Sequence, residues 1–426
     1  MKQASSKWSA ARLATRAALL LCTLLAACSS HFETPQLLGR AALVNDAGRP
    51  RLWVMTRQEE SRQVGVGSGG RTNSRRWRVD TYFHFDVTAF DPVAATPLWT
   101  QRLLTIGDPD ARGKTTSFVI GSDVDARLLG QDGELVWLLI GEAPYALRAT
   151  DGSIVVTAES LQQLNPSLKG VLPSEARFYG FDRGLVLTTA DARQLVIRGA
   201  EHKAEPYAPP PALAVPQELK ANGMPEIVPT VPYGEVPARH VTLRGQRLGL
   251  YTEKEAADAA NDGWGRKLRW PYTVTNEGRL ARRTFWTATV ETTQRFDERF
   301  EHIAAHTPVS ESPVFLNGRF AKDPASGNAR VLDDPEGVLV WHSTRIDDAG
   351  RLALARLDAA LQTRWRTELP LSESSTSNPL SIWWLPTHVV VVGTQQIEEN
   401  GATKHVPHLV SIELASGDMR SVQIAK

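Results

Sequence analysis

Apolar residues in this chain fall mostly in short runs of strand length, separated by polar turn residues. Tyr82-Phe83-His84-Phe85-Asp86-Val87 combines β-favouring residues with partial alternation. Leu135-Val136-Trp137-Leu138-Leu139-Ile140 and Val389-Val390-Val391-Val392 are continuous apolar runs, the pattern of strands buried on both faces. Turn chemistry recurs between such runs, at Asp132-Gly133, Asp151-Gly152, Asp348-Ala349-Gly350, Asn400-Gly401 and Ser416-Gly417-Asp418. Asp-Gly and Asn-Gly supply the positive backbone angles that tight hairpins need. Two stretches read as helical. One is Thr252 to Ala260, where Thr252 and Glu255 form a capping box; the other lies near Arg295 to His306. From Pro206 to Pro237 prolines crowd too closely for a paired strand or a helix, which predicts an extended crossing. The expected class is therefore all-β, with a Pro-rich crossing and a small helical insertion at about 206–306.

The N-terminus departs from this pattern. Lys2, Lys7, Arg12 and Arg16 precede an apolar run from Ala17 to Ala27, with no acidic residue among them. These are the n-region and h-region of a secretory signal, and the run is shorter than the roughly 20 apolar residues a bilayer span takes. It ends in Leu25-Ala26-Ala27-Cys28, which resembles the bacterial lipobox at all four positions. The resemblance implies removal of residues 1–27 as signal peptide, acylation of Cys28 with diacylglycerol and a further palmitate-type chain, and a lipid-anchored tether over 28–40. Ser29 stands where an Asp favours inner-membrane retention in Gram-negative lipoproteins. That implies the outer membrane, facing the periplasm, by the same analogy.

Charge and cysteine usage narrow the function classes. Taking four basic residues from the 48 Lys+Arg leaves 44 against 47 Asp+Glu, so the mature protein is near neutral and nucleic-acid binding finds no support. Cys22 lies in the signal, so the mature chain keeps only Cys28, which excludes a disulfide, a cysteine nucleophile and a thiolate metal site.

Internal repetition points to an architecture. Val87-Thr88-Ala89-Phe90-Asp91 is followed by Leu98-Trp99, and Leu354-Ala355-Arg356-Leu357-Asp358 by Arg364-Trp365. Tyr145 to Gly152 and Leu409 to Gly417 share the same strand-and-turn grammar. These segments resemble the hairpin of quinoprotein-like (PQQ-like repeat) β-propellers. The resemblance implies about seven or eight blades over 41–426, with the Trp packed between blades. A tandem β-sandwich is the alternative.

Other constellations are weaker. Gly65 to Gly70 satisfies G-x-G-x-x-G, but no helix or βαβ unit follows, so it reads as a hairpin tip rather than a phosphate cradle. Arg71, Arg75, Arg76 and Arg78 surround Trp77, a pattern suited to anionic lipid headgroups or to a solvated loop. His302 and His306 would share a face if helical, giving half of a zinc site without a third ligand. His405 and His408 are a weaker pair. Asp123, Asp125 and Glu134 echo a calcium loop but lack its glycine. Trp383-Trp384 suits inter-blade packing better than a sugar platform. No catalytic residue, metal or cofactor is assigned. The expected function is a non-enzymatic binding or scaffold protein of the cell envelope, with the membrane and an envelope protein as partners. The alternatives are a quinone-cofactor dehydrogenase, which would want a vicinal cysteine pair, and a glycan-binding surface protein.

Overall fold

The computed structural model describes residues 30–66, 76–107, 124–209, 240–261, 282–295, 298–322, 329–333, 336–345, 350–372, 380–399 and 401–424. Among them strand dominates, so the chain is all-β, and its sheets are open. The chain clusters into two compact units. One runs to Pro209; the other runs from Pro210 and includes the short segment Pro92–Thr96.

The first unit holds three antiparallel sheets. The first comprises β1 (Ser30–Phe32), β2 (Gln36–Asp46), β3 (Arg49–Val66), β4 (Arg76–Asp91) and β5 (Thr96–Ile106), ordered β1-β3-β4-β5 with β2 also on β3. Residues 30–40, where a tether is expected, thus already contribute to two strands. The second sheet is the meander β6 (Ala126–Asp132), β7 (Leu135–Ile140), β8 (Ala143–Arg148) and β9 (Ile154–Val156). Helix α1 (Ala158–Leu164) follows, capped reciprocally by Thr157 and Ser160, a start signal that the hydrophobic pattern alone does not expose. The third sheet is β10 (Tyr179–Phe181), β11 (Leu185–Thr188), β12 (Gln194–Arg198) and β13 (Lys203–Pro206). Pro206 ends β13, an edge strand, where a missing N–H is tolerated. The rest of the Pro-rich crossing falls mainly outside the described residues.

The second unit holds a nine-stranded sheet and a four-stranded one. The large sheet contains β14 (His240–Leu243), β15 (Gln246–Tyr251), β16 (Arg282–Arg295), β17 (Glu298–Pro308), β18 (Phe315–Phe320), β19 (Val331–Asp333), β20 (Glu336–Ser343), β21 (Arg351–Asp358) and β22 (Thr363–Ser372). Helix α2 (Glu253–Asn261) sits between β15 and β16. Only Arg282↔Leu316 and Arg283↔Phe315 join β16 to β18, so the sheet divides into the meander β14 to β17 and a second one from β18 to β22. The last sheet is β23 (Ser381–Trp384), β24 (His388–Glu399), β25 (Ala402–Glu413) and β26 (Met419–Gln423). Counted this way, the described residues carry six antiparallel meanders in chain order, two in the divided sheet and one in each of the other four.

Two helical expectations have different outcomes. Thr252 and Glu255 do cap α2: Glu255 N–H donates to Thr252 Oγ1 (3.2 Å), and Thr252 N–H donates to Glu255 Oε2 (2.8 Å). Of the stretch from Arg295 to His306, Arg295 instead ends β16 and Glu298 to His306 lie in strand β17, laddered to β16. Thr284, Thr287, Thr289, Val290, Thr292 and Thr293 make β16 β-branched, and pairing with such a strand overrides the helix propensity of Ala304 and Ala305.

Apolar positions build one core cluster around Trp53, Phe85, Val87 and Leu138 and a second around Trp137, Leu139, Leu161 and Leu185. The second unit has its own pair, around Phe285, Val338 and Val340 and around Trp341, Leu354, Val391 and Val410. Each fully buried Val, Leu or Phe contributes roughly 1.5–3 kcal/mol relative to exposure. The continuous runs of β7 and β24 are buried on both faces, as their sequences predict.

One junction occurs in both units. In the first, Trp99 of β5 lies against the turn that follows β8. Gly152 there has φ +70°, and an added Cβ would stand 2.4 Å from the indole ring, so only glycine fits. Trp99 Nε1 donates to the Thr150 carbonyl at 3.1 Å. In the second, Trp365 of β22 lies against Gly417, which has φ +80° and where a Cβ would come within 2.7 Å of the ring. Trp365 Nε1 donates to the Leu414 carbonyl at 3.2 Å. The turns match bond for bond. Gly152 N–H donates to the Arg148 carbonyl and Gly417 N–H to the Glu413 carbonyl, both at 2.9 Å. Ser153 N–H donates to Asp151 Oδ1 and Asp418 N–H to Ser416 Oγ. Each junction ties the last long strand of one sheet to a turn of a following sheet.

Candidate functional site

The densest polar constellation among the described residues lies on the β3–β4–β5 sheet. Odd-numbered positions Trp53, Met55, Phe83, Phe85, Val87 and Ala89 face the core. The alternation turns Glu60, Arg62, Tyr82, His84, Asp86 and Thr88 to the other face. There Thr88 and Thr100 share a hydroxyl hydrogen bond of 3.0 Å. Arg102 grips Asp86 through Nε (2.9 Å) and Nη2 (3.1 Å). Further along, His84 Nε2 stands 2.8 Å from Glu60 Oε2, and His84 Nδ1 stands 3.0 Å from Thr105 Oγ1. Arg62 binds Glu60 with two bonds, of 2.6 and 2.8 Å, while its guanidinium lies 4.5 Å from the Tyr82 ring centroid.

Electrostatics fixes the charge of Glu60. The Arg62 hydrogen bonds, joined by those from His84 and Ser30, outweigh burial and pull the Glu60 carboxyl down to about 2. Glu60 is therefore an anion that only accepts. His84 Nε2–H donates to it, and His84 Nδ1 shares a hydrogen bond with the Thr105 hydroxyl. Glu60 and His84 are buried, and Thr105 is exposed. The result is a hydrogen-bonded chain that links an exposed hydroxyl, an imidazole and a fixed carboxylate. Chemically it can hold the seam rigid.

A second buried ion pair braces the second unit. Arg283 binds Glu255 through Nη2 (2.8 Å) and Nε (2.9 Å), and its Nη1 donates to the Gly318 carbonyl at 3.1 Å. Burial pushes Glu255 upward, but the hydrogen bonds and charge of Arg283 leave its pKa lowered. This pair fastens the first turn of α2 to β16.

The residues singled out by sequence disperse. Cys28, Arg71 and Arg75 lie outside the described residues, as does Asp123. Gly65 and Val66 end β3, and Arg76, Trp77 and Arg78 begin β4, paired as Val66↔Arg76 and Gly65↔Trp77. Strands thus flank the glycine-rich run on both sides. His302 and His306 do not share a helix face. Their strand partners are Glu291 and Ala288, three apart, because a bulge at Thr289/Val290 shifts the register, so the two positions fall out of phase. His306 Nδ1 lies 3.0 Å from the Ala256 carbonyl of α2, and burial lowers its pKa. His405 and His408 are three apart on β25, hence on opposite faces. Asp125 accepts from the Ala126 N–H, as in a turn. Trp384 packs on the core, donates Nε1–H to the Lys322 carbonyl (3.0 Å) and carries Arg330 5.0 Å from its ring centroid. Among the described residues no group of three or more His, Cys, Asp or Glu is gathered as a metal site, and no helix is long and apolar enough to cross a membrane.

Sequence reasoning passes over Glu60, His84 and Thr105. The alternation around Tyr82 to Val87 does mark His84 and Asp86 as off-core positions. The partners come from neighbouring strands 24 and 21 residues away, and no local motif encodes that pairing. Comparison with known proteins adds no assignment: no protein-family model matches the chain, and no curated protein matches it.

Proposed function

We propose that this chain is an exported lipoprotein, held on a membrane by acylated Cys28, that works as a non-enzymatic binding or scaffold protein of the cell envelope. Its six described meanders are read as blades of a β-propeller, fewer than the seven or eight that length suggests, in the manner of the quinoprotein-like proteins its repeats resemble. The observation that carries this reading is the paired Trp99–Gly152 and Trp365–Gly417 junction, one device used twice to fasten consecutive meanders. Radial repetition covers strand edges and leaves loops and turns as a binding surface. The support for export is the basic n-region, the short apolar run and the lipobox-like Leu25-Ala26-Ala27-Cys28. The absence of Asp at position 29 favours the outer membrane of a Gram-negative cell, facing the periplasm. The envelope partner is a protein.

In-cell crosslinking of a tagged wild type beside Cys28→Ala tests the reading. The expected result is wild type in the membrane fraction with one dominant envelope protein captured, and loss of both in the variant. A membrane-bound wild type that captures nothing specific, or that purifies with a tightly bound quinone, would count against a scaffold role.

A further inference from the structure

A bulge in β5 aims one hydroxyl at the buried histidine of the first sheet. Along β4, Thr88, Asp86 and His84 follow one another at every second position, the spacing of a single sheet face. Their partners on β5 are Thr100, Arg102 and Thr105, so β5 carries an extra residue before Thr105. Leu103 and Leu104 are consecutive and yet both pack on the core cluster, which puts the extra residue there. Under strict alternation Leu104 would meet His84, and Thr105 would turn to the core. Bulges recur beside reactive sites because they re-aim a side chain in this way.

The groups gathered by the bulge have the order of an activated nucleophile: hydroxyl, imidazole, carboxylate. Thr105 Oγ1 stands 3.0 Å from His84 Nδ1, and His84 Nε2 stands 2.8 Å from Glu60 Oε2. Two hydrogen bonds from Arg62 hold the carboxylate in place. In the neutral imidazole that donates Nε2–H to Glu60, the lone pair is on Nδ1 and faces the hydroxyl. The neighbouring rungs, Thr88–Thr100 and Asp86–Arg102, join the same two strands without an imidazole. Rigidity alone therefore does not call for a carboxylate and an imidazole both withdrawn from water, an arrangement that costs desolvation. The site also has an apolar neighbour. Phe32 pairs with Glu60 on the same face, lies 6.2 Å from the His84 ring and is 50% exposed.

We propose that Thr105 is a covalent acceptor for activated acyl groups, esters or thioesters whose apolar acyl chain rests on Phe32. As Thr105 Oγ1 attacks the acyl carbonyl carbon, its proton passes to His84 Nδ1. The bond from that carbon to the leaving oxygen or sulfur then breaks, and His84 returns the proton to the leaving group. The products are an ester on Thr105 and an alcohol or thiol, with no change of oxidation state. The imidazolium formed on the way is stabilised by the Glu60 carboxylate. The reaction stops at the ester. His84 is buried, and the acylated Thr105 lies over Nδ1, where a hydrolytic water would have to be activated. Each chain thus reacts once, so the inference goes beyond the scaffold reading without making the protein an enzyme, and it does not depend on the Cys28 anchor.

The test incubates the purified full chain with p-nitrophenyl butyrate. The expected result is a burst of nitrophenolate that ends near one equivalent per chain, with a butyryl adduct mapped to Thr105 by peptide mass spectrometry. Thr105→Val should abolish both burst and adduct while leaving the fold intact, since Thr105 is exposed and valine keeps its shape. Thr105→Ser should retain both. His84→Gln should slow the burst at least about a hundredfold. The Val and Ser variants at 105 keep the test independent of how well that buried variant folds. No burst, an equal burst in Thr105→Val, an adduct that spares Thr105, or protein-catalysed release that continues past one equivalent would each overturn the acceptor role.

Discussion

The two compact units use the same junction and differ in what holds it. Around Gly152 the indole of Trp99 meets Trp53 edge to face, with centroids 4.9 Å apart and an interplanar angle of 88°. Around Gly417 hydrogen bonds take that role: Thr367 Oγ1 donates to the Gly417 carbonyl at 2.7 Å, and Arg356 Nη1 joins Trp365 on the Leu414 carbonyl. The glycine and the tryptophan are therefore the fixed parts, because a positive φ under an indole ring admits no side chain. The surroundings are free to be aromatic in one unit and polar in the other.

The units also differ in the ionisable groups they bury. The first keeps a carboxylate, Glu60, pulled down to about 2 by Arg62. The second keeps His306, His342 and His408, all lowered by burial, with His342 reaching about 4. Both kinds of group stabilise the fold at neutral pH and lose that stabilisation on acidification, but over different windows.

Filling the junction glycines should have the largest effect. Gly152→Val and Gly417→Val each combine a left-handed backbone with a clash against the indole, and each should cost about 4 kcal/mol in a denaturant titration. A cost below about 1 kcal/mol at either site would show that the indole does not sit on that turn. Next comes Arg283→Met, which strands Glu255 without its charge partner. Thermal unfolding should report a loss of about 3 kcal/mol, accompanied by melting of α2, and restoration in part by Glu255→Gln in the same chain.

Acid should separate the units. His342 is neutral in the fold, and its folded pKa lies below its ordinary 6.5. Unfolded chains thus bind the proton more readily, so stability is complete above about 6.5 and falls by about 2–3 kcal/mol as pH drops toward 4. Glu60 contributes fully above its ordinary 4.5 and loses its contribution only as pH falls from there toward 2. Hydrogen exchange should therefore find β20 loosening before β3 and β4. His342→Leu should flatten the upper window and leave the lower one. If β3 and β4 loosen first, the assignment of the two windows is wrong. The smallest effects come from removing single contacts around the junctions. A double-mutant cycle on Trp53 and Trp99 should give a coupling of about 1 kcal/mol, and Thr367→Val should cost about 1 kcal/mol at the other junction.

The strand content, the turn positions and the capping box of α2 were legible because each rests on a few adjacent residues. Gly133, Gly152, Gly401 and Gly417 all take positive φ, as their Asp-Gly, Asn-Gly and Ser-Gly contexts predict. The pattern of Leu98-Trp99 and Arg364-Trp365 after an Asp-ended strand located both tryptophans of the junction, though not the glycines they would meet some fifty residues on. The stretch from Arg295 to His306 misled because Ala304 and Ala305 near its end favour helix locally, and the ladder of β17 with β16 decides otherwise. The Glu60–His84–Thr105 chain was illegible for a related reason. Alternation shows which face a residue takes, but strand order and register decide which residues meet across that face.

Mass spectrometry of the N-terminal peptide, taken from protein purified out of the producing cell's membranes, tests the central claim most directly. A peptide that begins at Cys28 and carries a diacylglycerol-type adduct is the predicted result. A mature protein with unmodified Cys28, or one that begins at any other residue, would contradict the account.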